Sequence, residues 1–575
     1  MSDRDQRIRE QPPVPYPVSR FLRACPAIGR ALIRLACGGF IWLGGLCLAA
    51  GAAPPSEGSA PVPLFDNLGT LHHAITTSSE QTQRYFDQGL RLVYAFNHEE
   101  AIRAFEEAAR LDPAAAMPYW GIALALGPNI NQATDKQAER RARDAVQKAR
   151  ARRSAASDAE QAYIDALAKR YGAKGGSRAA LDRAYADAMR ALWRRFPDDP
   201  DAGTLFAEAL MDLRPWDYWT PDGKPKPGTE EIVATLEAVL ASHPDHPGAC
   251  HFYIHAVEAS LSPERALPCA QRLPSLMPGA GHLVHMPAHI YIRLGQYHDA
   301  AERNEHAVHV DREYLAGRTL TGVYPTGYYN HNVHFLWASL LMEGRQAETI
   351  KAARELTATI SEADARKDPW REAYLTTPIY SLIRFGQWDA LLREPPPAKG
   401  LSLFDGMWRL GRGLALAATG RLPGAEGEHA ALAALAKRLG RQKTPEQKTT
   451  RTLLKIAERL LAGDLAAHRQ RYAEAVALFQ EAIALEDGLP YTEPPHWPLP
   501  IRHYLGAALL MAGRPAEAEA VYRADLERHR HNGWALFGLA QSLRAQGKTA
   551  EAEAVEERFK SAWAHADVAL TASRF

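Results

Sequence analysis

"GLRLVYAFNHEEAIRAFEEAARLDP", from Gly89 to Pro113, sets small residues and one aromatic at fixed offsets within a helical apolar pattern. Gly89, Ala101, Phe105 and Ala108 let two antiparallel helices approach closely, and Pro113 ends the second before the chain turns into another pair. The same offsets return at Gly463, Tyr472, Ala475, Phe479 and Ala482, and again at Gly506, Gly513, Ala518 and Tyr522. Weaker copies run through Gly413, Gly420 and Ala425, and through Gly295, Tyr297, Ala300 and Ala307. Alternating strand patterns are almost absent. At 575 residues the chain is too long for one compact core, and a repeat array accommodates that length.

These offsets resemble the tetratricopeptide repeat over most of Gln81 to Phe575. The resemblance implies an all-α, right-handed solenoid of antiparallel helix pairs. "FNHEEA", "GHLVHMPAHIYIRLG", "YNHNVHF" and "NGWALFGLAQSLRAQG" together make the mature chain similar to exported bacterial tetratricopeptide repeat proteins with a histidine-rich central region. That likeness brings no reaction with it, so no catalytic residue is carried over. One degenerate stretch, Gln132 to Arg195, still contains "SDAEQAYIDALAKRYG", which predicts a helix with Ser157 and Glu160 as a capping box and Gly172 just past its end. "REPPPAKG" (Arg393–Gly400) cannot continue a helix and is expected to divide an N-terminal repeat region, 79–392, from a C-terminal one, 401–575.

The first residues predict targeting rather than fold. Arg20, Arg23, Arg30 and Arg34 precede the uncharged run Leu35–Ala53, and a small-residue, proline-containing linker follows over 54–78. This order fits a signal peptide over 1–53, or a membrane anchor, since about 20 apolar residues span a bilayer. In both cases the rest of the chain is exported, periplasmic or secreted, with membrane contact only through this segment. Cys25, Cys37 and Cys47 fall within it, leaving Cys250 and Cys269 able to form one disulfide at most. The net charge of +1 argues against nucleic acid as a partner, and the arginine-rich Ala138–Arg153 is expected to be a solvated helix face.

Twelve of the 22 histidines lie between His243 and His334, where an even spread would place about 3.5. His251/His255 and His285/His289 are i, i+4 pairs, each on one helix face, and the pairs are 34 residues apart. In repeat register they take the fifth and ninth positions, His282 and His331 take second positions, and His334 and His503 take fifth positions. The resemblance implies that these positions face a concave groove. Neighbouring helices lie about 8–10 Å apart, so the pairs can converge on one centre, with Glu258 adding a carboxylate as ligand or general base. Pro287 limits the geometry: a helix that starts there leaves His282 and His285 on the loop before it, and otherwise the histidines form one stripe. The competing reading is that the histidines hydrogen-bond buried carbonyls, water or a peptide.

Weaker ligand-binding candidates are His98, Asn129, Asn131, Tyr329, Asn330 and Asn332, a mixture suited to a polar small molecule or peptide. The long aromatic loop Asp212–Thr229 is a further candidate, since long loops in compact arrays are more often functional than filler. "YTEPPHWPLP" (Tyr491–Pro500) reads first as a rigid connector, with Glu493 and Trp497 as candidates to line the groove. H-E-x-x-H, G-x-S-x-G, a phosphate-binding glycine loop and a mature Cys-x-x-Cys are all missing, which counts against the commoner hydrolase, kinase and redox classes. Two functions therefore stand. The first is an exported repeat protein that binds a protein, peptide or small ligand in its groove, with a candidate divalent transition metal (zinc, copper or iron). The second is a metal-dependent enzyme built on the histidines, with Tyr329 or Asn330 touching substrate.

Overall fold

A computed structural model describes residues 62–172, 176–220, 222–318, 322–439 and 444–575. The basic and apolar segment 1–53 lies outside the described residues. Among them every extended element is helical, apart from two isolated bridges, Asn129–Gln132 and Trp219–Pro225. Each helix packs chiefly on the next in sequence, and the pairs 80–94/98–111, 445–468/472–487 and 501–511/515–528 stack as an α-solenoid.

The repeat offsets follow from one packing device. A Cβ at Gly89 would lie 2.5 Å from the Phe105 ring, and one at Gly121 would lie 2.6 Å from the same ring. Tyr522 sits likewise between Gly506 and Gly538, at 2.3 and 2.2 Å. One aromatic per repeat thus needs a glycine in its own first helix and another in the next. The interhelical turn needs a left-handed residue, supplied at Gly295 (φ 77°), Gly420 (φ 77°) and Gly513 (φ 70°). Phe96 takes the equivalent place at φ 56° despite its side chain. A bulky residue there is strained by about 1–3 kcal/mol, which points to a role for its ring.

The degenerate stretch carries three α-helices, Lys136–Arg152, Asp158–Arg170 and Arg178–Arg195. Asp158–Arg170 begins with the Ser157/Glu160 capping box, and Lys136–Arg152 buries Ala142, Ala145, Val146 and Ala149 while its arginines face outward. The apolar core falls into two main clusters, one drawn from Leu68 to Tyr328 and the other from Ala301 to Val555. The Pro-rich stretch 393–400 lies within the span of the second. A small separate cluster of Ala288, Ala300 and Phe335 lies beside the central histidines. The C-terminal repeats return to the central turns. A Cβ at Gly295 would meet the Arg530 carbonyl at 2.0 Å, and Asp567 accepts hydrogen bonds from the Gln346 and Ala347 amides at 2.6 and 3.0 Å.

Asp201 ties the first histidine helix, Pro247–Val257, to the N-terminal repeat. Its carboxylate accepts from Tyr94 Oη at 2.6 Å, His73 Nδ1 at 2.7 Å and His246 Nε2 at 3.1 Å. His246 is also the N-cap of that helix, accepting from the Ala249 amide through Nδ1 at 3.0 Å. The second histidine helix starts at Gly281, not at Pro287. Gly281–His285 and Pro287–Leu294 meet at Met286, which keeps right-handed helical angles (φ −51°, ψ −34°), so the proline removes one amide without turning the chain. Cys250 and Cys269 are buried free thiols.

Replacing Asp201 with Ala strands three buried donors and should cost about 3–5 kcal/mol, read as a lower denaturation midpoint. Burial lowers the His73 pKa, but the hydrogen bond and charge of Asp201 outweigh it and raise it from 6.5 to about 9. The folded value exceeds the unfolded one, so this stabilisation is complete below pH 6.5 and lost as pH rises through about 9. The thermal midpoint of the wild type should therefore fall over that window more than that of His73→Gln.

Candidate metal centre

Three helical segments and one loop bring six imidazoles and two carboxylates together. His251 and His255 come from Pro247–Val257, and His282, His285 and His289 from Gly281–Leu294. His331 comes from Tyr329–Glu343, which is entered through a π-helical turn, Tyr324–Tyr328. Five of the six, His251, His255, His282, His285 and His289, are no more than 2% exposed.

Hydrogen bonds at Nδ1 decide where several lone pairs point. His251 Nδ1 lies 2.7 Å from the Tyr94 carbonyl, which can only accept, so the proton is on Nδ1 and Nε2 carries the lone pair. His285 Nδ1 donates in the same way to Asn304 Oδ1 at 2.7 Å, an orientation held by Asn304 Nδ2 donating to the Ala300 carbonyl. His255 Nδ1 lies 3.4 Å from Glu258 Oε1, and His289 Nδ1 lies 2.5 Å from Glu258 Oε2, off the N–H axis. Glu258 therefore stands behind two imidazoles, in the place from which a carboxylate orients metal-ligating histidines.

The Nε2 atoms crowd together on the other side. His285 and His289 approach to 2.9 Å, His251 and His282 to 3.2 Å, and His289 and His331 to 3.5 Å. His255 Nε2 and His282 Nδ1 are buried without a partner. Lone pairs at such separations repel unless a proton or a cation lies between them. Imidazoles bound at about 2.1 Å around a tetrahedral ion have their nitrogens about 3.4 Å apart, close to these distances. Burial, reinforced by the neighbouring imidazoles, pushes His251, His255, His282, His285 and His331 well below the usual histidine range, which leaves them neutral. At His289 burial also lowers the pKa, but Glu258 and Glu493 outweigh it and raise it to about 9.

Aromatic rings close the cluster. Phe96 lies 4.5 Å from the His251 ring, which is the use of its strained turn, and Trp216 lies 4.9 Å from His255. Tyr328 lies 4.8 Å from His282, and Phe335 lies 4.6 Å from His289. Asn131 joins two of these walls, accepting from Trp216 Nε1 at 3.0 Å while its amide donates to Tyr328 Oη at 3.3 Å. The open groove expected for these repeat positions is therefore a packed interior. Trp216 of the aromatic loop and Glu493 of the segment Tyr491–Pro500 cover what a regular repeat leaves exposed.

Other candidates fall elsewhere. His98 is stacked on Phe96 at the edge of the cluster, with burial lowering it to about 4. His334 faces away, stacked on Trp337 at 5.3 Å and lowered to about 3 by burial. Asn129 accepts from the Asn131 and Gln132 amides, and Asn330 is held by Thr326 and Thr359. Tyr329 donates to Glu355, and Asn332 donates to Asp311. Glu493, expected first as part of a connector, reaches the centre, with Oε2 3.5 Å from His289 Nδ1. Phe96 reaches the cluster from a distant repeat, and Trp216, Tyr328 and Asn304 from the adjoining loop, turn and helix; none of these contacts has a local sequence signal.

No family model and no curated protein matches the chain. Among solved structures it is similar to the human IFIT1 dimer with PPP-AAAA, at 12% identity and TM-score 0.29, covering 84% of this chain and 91% of that one. A monomeric IFIT1 mutant with Gppp-AAAA gives 14% identity and TM-score 0.29, covering 85% and 91%.

His503 supplies an internal comparison. It occupies the same repeat position as His251 and His285, yet both its nitrogens are engaged, Nε2 with Asp525 at 2.9 Å and Nδ1 with Arg384 at 3.0 Å. His503→Leu should cost about 3–5 kcal/mol by stranding two buried charges. His255→Leu in metal-stripped protein should cost less, about 1–3 kcal/mol, since it removes an unsatisfied Nε2 along with the weak Nδ1 contact to Glu258. Paired denaturant titrations measure the difference.

Proposed function

We propose that this chain is an exported helical-repeat protein whose function is to hold a first-row transition metal in the buried histidine cluster. The observation that carries this reading is the convergence of six imidazoles inside the fold, with three pairs of Nε2 atoms at 2.9, 3.2 and 3.5 Å. Imidazole donors suit zinc, copper, iron or nickel, and a carboxylate behind two of them matches the arrangement that fixes ligand orientation in metal sites. Burial favours an ion over a macromolecule, because a peptide lying along the concave face does not reach side chains that are at most 2% exposed. The aromatic walls and the adjacent carboxylates restrict access to small species. Support for export comes from the basic and then apolar order of residues 1–53.

Metal analysis of the purified mature protein tests the reading. Metal at or above one equivalent is expected, with a lower metal-to-protein ratio in His289→Ala. Glu258→Gln should keep the fold and weaken affinity by about 10- to 100-fold, as loss of an orienting carboxylate does elsewhere. Protein that carries no metal, and takes up none when zinc is added, would refute the proposal.

A further inference from the structure

We infer that the cluster holds two metal ions in two separate tri-imidazole sets, an inference that rests on the metal-binding reading above. The first set is His251, His255 and His282, and the second is His285, His289 and His331. The sets share no residue, and within each the nearest donor atoms all lie within 4.8 Å of one another.

The repeat explains why there are two. Each set combines an i, i+4 pair from one first helix with the second-position histidine of the following repeat. His282 completes the His251/His255 pair, and His331 completes the His285/His289 pair. One ligand constellation is thus built twice, one repeat apart, as a solenoid does with any feature fixed to its register. Ring geometry repeats too: the His251 and His282 rings lie 4.9 Å apart at 75°, and the equivalent His285 and His331 rings 4.8 Å apart at 77°.

Six imidazoles exceed what one tetrahedral ion accepts, while three from protein are the usual number for a zinc with an open position. An unpartnered nitrogen points the same way. His255 Nε2, in the first set, has no hydrogen-bond partner although buried, and a single ion in the second set leaves it unused. Glu258 spans the sets, with one oxygen facing His255 and the other His289. Glu258 and Glu493 together offset part of the charge two ions bring into the interior. The rival single site, His255, Glu258 and His289, draws one imidazole from each set and leaves four without a task.

Metal-to-protein ratio in the full mature chain is the test. Two equivalents are expected, with His282→Gln and His331→Gln each reducing the ratio to one and leaving the melting profile cooperative. A wild-type ratio of one, or a folded single variant that loses all metal, overturns the pairing. If either variant fails to fold, Co2+ titration of metal-stripped wild type decides: visible absorption should rise to a break at two equivalents, and a break at one overturns the inference. One ion leaves the metal-binding proposal standing, whereas no metal and no Co2+ uptake end both.

Discussion

Glu258 is the constraint on which the centre depends. It is fully buried at the end of the helix Pro247–Val257, with one carboxylate oxygen facing His255 and the other His289. Those histidines belong to consecutive repeats, so a single side chain couples the orientation of two helices. A carboxylate in that environment needs a compensating partner, and it has the His255 Nδ1–H at 3.4 Å and the charge that His289 acquires beside it. With their Nδ1 atoms turned toward Glu258, the opposite nitrogens of both rings are directed into the cluster.

The solenoid supplies the register and its irregularities supply the enclosure. Repeated helix pairs place equivalent residues at constant separation, which is why two imidazole pairs lie face to face. A regular array leaves such residues on an accessible surface. Here the loop after Pro200–Met211 sends Trp216 over His255, and the Pro-rich loop brings Glu493 to His289. The strained turn at Phe96 adds a third wall. These departures cluster where the titratable groups are, as expected if local stability is exchanged for a site.

The fold was legible because its signal is local and repeated. Gly89 against Phe105 and Gly506 against Tyr522 are contacts between positions at fixed offsets, and helical spacing identifies them. The Ser157 cap was legible for the same reason, since its partner is three residues away. Site candidates were legible as far as periodicity carries. His251, His255, His285 and His289 stand out by i, i+4 spacing and by a 34-residue interval. His334 shares a repeat position with His285 but faces Trp337. Position in a repeat gives a helix face but not which groups pack against it, and at His334 those groups are Trp337 and Tyr374.

By itself the sequence determined an all-helical repeat array, its capping and turn chemistry, and the placing of paired histidines on first helices. Each of these follows from residues a few positions apart or one period apart. Only the tertiary structure decided that the histidines are buried, which nitrogen each one turns inward, and that Glu258 stands behind them. It alone brought in Phe96, and it set Trp216, Tyr328 and Glu493 against particular imidazoles. Burial and tautomer depend on groups that arrive from distant repeats, such as the Tyr94 carbonyl at His251 Nδ1. No spacing along the chain encodes a contact whose partners meet only when the solenoid closes on itself.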